Sequence, residues 1–216
     1  MNKQLDIYGI HKSGTCLQHK IYKYINAKLG YDCILFNRFT ARDDLSNVNV
    51  SFITARHPLN KLISQYYSFG WSHTVRRWDE NQIRIRNKIR GLTLDEYITD
   101  PRFQELTTQV YNIAYQHIDK IIKYEDIMKT PQKFINLILR EINQEDLFDE
   151  VWGEFADEFV FNEPDLSDRI INEDLKVHRR NLDHDEYKKK LLPETINNLS
   201  SEFAEVIKKY DNISQT

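Results

Sequence analysis

The chain has 216 residues, and 30 Lys and Arg against 33 Asp and Glu give a formal charge of −3, which fits one domain with a full hydrophobic core and argues against a general nucleic-acid binder. A mean hydropathy of −0.64, with 12 Tyr and 11 Phe, describes an aromatic-rich globule rather than a disordered chain. No apolar run approaches the length of a membrane span, no signal-peptide pattern follows Met1, and Cys16 and Cys33 are too few for a disulfide framework, so a cytoplasmic, reducing compartment with no membrane partner is expected.

In chain order, Leu5 to Ile10 reads as a short buried strand. It breaks into His11-Lys12-Ser13-Gly14-Thr15-Cys16 and then a helix with Leu17, Ile21, Tyr24, Ile25 and Leu29 on one face, stopped by Gly30. Cys33 to Phe36 and Val50 to Thr54 read as the second and third strands. Pro58 opens a helix carrying Leu59, Leu62, Ile63, Tyr66 and Tyr67. Residues 71–91 show no clean period, which predicts an irregular insertion or lid at about 71–92. Thr93 with Glu96 forms the pattern of a capping box, and Asp100-Pro101 that of an N-cap with proline at the first helical position. His117 to Tyr124 reads as a fourth strand, Thr130-Pro131 starts a helix through about Ile142, and Pro193 starts a last helix with Ile196, Leu199, Phe203, Val206 and Tyr210 on its face. Strands alternating with helices predict a single α/β domain over 1–216, a three-layer α/β/α arrangement around a central, mostly parallel sheet. Ligands of such sheets sit at the carboxyl ends of the strands.

The small net charge conceals two opposite blocks. Residues 71–91 hold Arg76, Arg77, Arg84, Arg86, Lys88 and Arg90 against Asp79 and Glu80. Residues 141–168 hold eleven acids and no Lys or Arg, the pattern of a solvated face.

The segment after the first strand suits a phosphate-like dianion. Gly14 allows a tight backbone path, and the amides of residues 13–16 would converge beside a helix N-terminus. Ser13 and Thr15 add hydroxyls and Lys12 a full positive charge. This is not a Walker A loop, because His11 rather than glycine precedes the lysine. A second anion site follows. Arg56 ends the third strand and Ser64 lies eight residues on, about two helical turns away, where guanidinium and hydroxyl can close on one phosphate. His178-Arg179-Arg180-Asn181 adds two guanidinium groups before the last helix. Together these describe a ligand with two separated anionic groups.

On these residues the chain resembles the sulfotransferases that use 3′-phosphoadenosine-5′-phosphosulfate (PAPS). His11-Lys12-Ser13-Gly14-Thr15-Cys16 is similar to their 5′-phosphosulfate loop, and Arg56 to Ser64 to their 3′-phosphate motif with its spacing kept. Lys123-Tyr124-Glu125-Asp126 resembles their adenosine-contacting element, and the segment from His178 to Asn181 their late basic loop. The resemblance implies a P-loop NTPase-like sulfotransferase fold and PAPS as donor. It also implies Lys12 as the group stabilising the leaving phosphate, and a cradle of His11, Ser13, Gly14, Thr15 and Cys16. Arg56, Ser64, Arg179 and Arg180 would hold the 3′-phosphate, with Tyr124 near the purine. Three residues depart from the family pattern: His11 replaces a proline, Leu17 a tryptophan that stacks on the adenine, and Asn181 a glycine.

Sulfuryl transfer is an in-line displacement governed by positioning and electrostatics. The transferred group is neutral SO3, so no metal is demanded, and no metal-ligand cluster is evident. A hydroxyl acceptor needs a general base, which related enzymes place just after the second strand. There the chain offers only Asp43 and Asp44, with turn roles as the competing explanation; His73 and His11 are the other candidates, and His57 reads as structural. Trp71, Trp78 and the cations around them suit a small-molecule or glycan acceptor, anionic in character. The competing readings are a P-loop kinase, which would need a Walker A loop and a magnesium-binding acid, and a catalytically silent PAP- or PAPS-binding module.

Overall fold

A computed structural model of the chain describes residues 4–72, 79–159 and 185–214. Its centre is a parallel sheet of four strands, β1 (Leu5–Ile10), β2 (Ile34–Phe39), β3 (Phe52–Ala55) and β4 (Ile121–Lys123), in the order β2-β1-β3-β4. Parallel neighbours need crossovers, and helices supply them. Strand alternation divides the side chains between two cores. Leu5, Ile7, Ile34 and Ile122 pack with residues of α1 (Thr15–Leu29), α7 (Pro131–Glu141) and α8 (Phe148–Phe155). Ile10, Phe39, Ile53, Ala55 and Ile121 pack with residues of α5 (Pro101–Ala114) and α11 (Ser201–Asp211) on the other face. The α/β architecture with helices on both faces of a parallel sheet is therefore as the sequence predicts.

A third cluster stands beside the sheet. It joins Leu59, Leu62 and Ile63 of α2 (Pro58–Tyr67) to Ile89 of α3 (Glu80–Arg90), and to Tyr97 and Ile98 of α4 (Leu94–Thr99). The capping box before α4 is present, both Thr93 and Glu96 accepting from each other's backbone N–H, and Asp100 caps α5 ahead of Pro101.

Four expectations are corrected. Residues 80–90 of the basic segment are a regular helix, not an irregular insertion. Asp79 accepts from the Gln82 amide at its start, and Lys88 and Arg90 lie in the last turn, where cations favour the helix dipole. Only Ile89 of this helix is buried, so its sequence carries no apolar period. The fourth strand is only Ile121–Lys123; Tyr115–Lys120 is a 3₁₀ segment with Ile118 43% exposed, and Tyr124 already opens α6 (Tyr124–Lys129). The second strand runs three residues further, to Phe39. The last helix is two, α10 (Pro193–Asn197) and α11, because Ser200 caps α11 afresh. A short helix, α9 (Glu186–Lys190), precedes them.

Two acids of the acidic block pair with α1. Glu150 accepts from Tyr24 and forms an ion pair with Lys28, and Glu158 pairs with Lys20, so α8 and the turn after it meet a basic face of α1. Among the described residues no helix is long and apolar enough to cross a membrane.

Candidate functional site

At the carboxyl end of β1 the chain turns through Lys12 and Gly14, both with positive φ (77° and 73°), before α1 begins. Glycine takes this left-handed conformation without cost; for lysine it stores about 1–2 kcal/mol, which marks the loop as a strained position. Close packing requires a second glycine. A Cβ on Gly9 would lie 2.7 Å from Thr15 Cγ2 and 2.9 Å from the Phe36 ring, so only glycine lets α1 start this near the sheet.

The first intrahelical bond of α1 runs from the Gln18 amide to Gly14 O, and no side chain caps the helix. The amides of Thr15, Cys16 and Leu17 are the helix's orphan donors, and the helix dipole places partial positive charge on the same spot. Ser13 differs from its expected role. Its amide donates to Ile10 O at 3.0 Å, and its buried hydroxyl donates to Ile10 O at 2.6 Å and lies 3.0 Å from Thr54 O. Ser13 therefore ties the loop to β1 and β3, with its amide and its hydroxyl both turned to main-chain oxygens. Its carbonyl accepts from Gln18 Nε2 at 2.7 Å, which fixes the far side of the turn. An anion at this turn would therefore meet the amides of Thr15 to Leu17 rather than that of Ser13.

Lys12 is half-buried. Its ammonium donates to Ser68 Oγ at 2.5 Å and lies 5.5 Å from the centroid of Phe69, whose ring stacks on His11 at 5.5 Å. Ser68 and Phe69 belong to a π-helical turn, Ser68–Ser72, that extends α2. Cys16 is exposed at the second position of α1, and the Arg38 guanidinium at the end of β2 donates to its Sγ at 3.3 Å. Arg38 was not singled out in the sequence; its place at a strand's carboxyl end beside the loop was the available signal.

Tyr124 closes the other side. Its ring lies where a Cβ on Gly14 would project, and Arg56 Cζ stands 5.2 Å from the ring centroid. The structure thus brings Gly14, Tyr124 and Arg56 into one contiguous set. Arg56 itself is 6% exposed, and its Nη2 donates to Glu186 Oε2 at 3.1 Å. Glu186 accepts also from Lys190 Nζ at 2.6 Å. Arg56 is thus held inside the protein as half of a buried ion pair, although its place at a strand's carboxyl end reads poorly as core packing. Ser64, on α2, is half-buried and makes no side-chain hydrogen bond with the described residues. His73, Arg179 and Arg180, with Asn181 and Trp78, lie outside the described residues.

The neighbouring groups are structural. His57 is fully buried, stacked on Tyr187 at 4.6 Å, and its amide donates to Glu125 Oε1 at 2.9 Å. Glu125 accepts from the Tyr210 hydroxyl at 2.7 Å, and Lys123 Nζ donates to Asp211 O at 3.2 Å. Asp43 accepts from the Thr40 amide at 2.6 Å and hydroxyl at 2.9 Å. Asp44 accepts from the Ser46 amide at 2.9 Å, and that bond holds its carboxyl below the usual range. Both are turn caps, and the carboxyl of Asp44, held low, is a poor base. Lys61 was also missed. It is buried on α2, donates to Thr107 Oγ1 at 3.0 Å and Gln65 Oε1 at 3.2 Å, and burial pushes its ammonium down to about 7. Among the described residues no three His, Cys, Asp or Glu side chains gather as a metal centre would require.

No protein-family model matches the chain, and no curated protein matches it.

Proposed function

We propose that the chain is a PAPS-dependent sulfotransferase with a P-loop-like nucleotide site at the carboxyl ends of β1, β3 and β4. The observation that carries this reading is the uncapped N-terminus of α1, with Lys12 on the strained turn before it. A loop of open amides beside one cation is what a phosphosulfate dianion needs. The residues fit the 5′ end of the donor: Gly14 to Leu17 offer amides, Lys12 the charge, and Tyr124 an aromatic wall that glycine alone tolerates. The 3′ end fits less completely, because Glu186 occupies the Arg56 guanidinium that a phosphate would use.

PAPS supplies an activated sulfuryl group whose departure leaves charge on the 5′-phosphate. The chain's part is to hold that charge. Lys12 and the loop amides act where it develops, each well-placed donor contributing about 3–4 kcal/mol. Ser13, bonded to β1 and β3, keeps the loop rigid so that no reorganisation accompanies transfer. The acceptor is a hydroxyl or amine on an anionic small molecule or glycan. Arg84 and Lys88 of α3 are exposed, and Arg38 extends beside the loop. His11, stacked on Phe69, and His73 are the remaining base candidates, now that Asp43 and Asp44 cap turns.

A second reading, a PAP-binding module without chemistry, draws on those same two turn caps, which leave the stretch after β2 without a free carboxylate base. Calorimetric titration with PAP, and with ATP plus magnesium, separates these readings from a kinase. Binding of PAP that ATP does not match supports the nucleotide site, and preference for ATP with magnesium overturns it.

A further inference from the structure

The six cations of residues 71–91 are not equivalent, and α3 sorts those it carries. Arg86, Ile89 and Arg90 are spaced i, i+3, i+4 and so share one helix face. That face meets the π-helical turn. Arg86 Nε donates to Phe69 O at 3.2 Å and Arg90 Nε donates to Gly70 O at 2.6 Å. Ile89, 1% exposed, lies beside Gly70, its Cγ2 3.4 Å from where a Cβ would stand. Arg84 and Lys88 lie off this face and are exposed.

The same turn holds the transfer loop from its other side. Ser68 accepts the Lys12 ammonium, and the Phe69 ring carries both His11 and Lys12. A π-helical turn lacks the regular hydrogen-bond ladder of an α-helix and recurs at functional sites. Here two charge-assisted bonds from α3 fix its carbonyls. We propose that Arg86 and Arg90 are positioning residues for Lys12, acting through the main chain of Phe69 and Gly70. The catalytic consequence rests on the sulfotransferase reading; the mechanical one does not. Arg86 and Arg90 touch no reacting atom. They set where Ser68 and Phe69 stand, and those residues set where the ammonium stands.

The test is competitive acetylation of the full chain, reading Lys12 against Lys23, an exposed lysine of α1. In Arg86→Ala/Arg90→Ala, Lys12 labelling should rise at least threefold relative to Lys23, and Arg86→Lys/Arg90→Lys should restore part of the protection. The single variant Arg86→Gln gives the same readout where the double variant fails to fold by circular dichroism. Unchanged Lys12 labelling in a folded variant overturns the proposal. In transfer assays the double variant should lose about tenfold in kcat with KM for PAPS within about twofold, as misplacement of a catalytic group does. Failure of PAP to protect Lys12 in the unmodified chain would overturn the sulfotransferase reading, while a labelling response in the variants would leave the positioning role standing.

Discussion

Arg56 and Glu186, 130 residues apart in sequence, form an ion pair at 3.1 Å with side chains 7% and 2% exposed. Breaking such a pair strands a buried charge, which costs about 3–5 kcal/mol. Glu186→Gln should therefore lower stability in denaturant titration, toward the lower end of that range because the amide still accepts a hydrogen bond. If the 3′-phosphate binds at Arg56, PAP should raise the melting temperature of Glu186→Gln by more than that of the parent chain. An equal or smaller rise places the phosphate elsewhere.

Arg56→Ala is for the same reason a poor probe of ligand binding, since it leaves Glu186 buried beside Lys190 alone. Loss of PAP binding in that variant would report unfolding as readily as a missing contact. Gly14→Ala is the sharper probe. It combines a positive φ with a methyl directed into the Tyr124 ring. The φ penalty alone is about 1–2 kcal/mol, and the displaced ring should weaken PAP binding at least tenfold in calorimetry while the sheet stays intact. Retained affinity would mean that the loop does not hold the nucleotide.

Lys61 carries a stability signature. Its ammonium is depressed from 10.5 to about 7 by burial, so between those values the unfolded chain binds more protons than the folded one. Stability then rises with pH across this window, by at most about 5 kcal/mol. Lys61→Met should be more stable than the parent near pH 7, and the difference should shrink toward pH 10. Subtracting the two pH profiles isolates Lys61 from the tyrosines that titrate at higher pH. A difference independent of pH would contradict the buried, depressed ammonium.

Asp44→Asn tests the base assignment. As a turn cap whose carboxyl is held low by the Ser46 amide, Asp44 should be dispensable for transfer, and kcat should stay within about twofold. A fall of the size expected for a general base, roughly 100-fold or more, would return Asp44 to the active site.

The layered fold was legible because its elements carry strong local signals. The short strand Leu5–Ile10, the capping box at Thr93 and Glu96, and the Asp100-Pro101 start all appear as read. Residues 80–90 were misread because their helix buries only Ile89 and is held by polar contacts, Asp79 at one end and Arg86 and Arg90 on distant carbonyls. Spacing in the sequence does not encode such partners. The turn after β1 and the start of α1 stand where the residue types put them, whereas the bonds of Ser13 to Ile10 and Thr54 depend on how β1 and β3 pair and leave no sign in the local sequence. Glu186 was not singled out, lying far along the chain from Arg56. Long-range ion pairs leave no periodic trace.

Transfer of labelled sulfate from PAPS to a panel of hydroxyl and amine acceptors, compared between the parent chain and Lys12→Ala, tests the central claim most directly. Labelled product from the parent and its loss in a folded Lys12→Ala variant, with release of PAP, is the predicted result. Absence of any transfer together with no affinity for PAP, or transfer undiminished in Lys12→Ala, would contradict it.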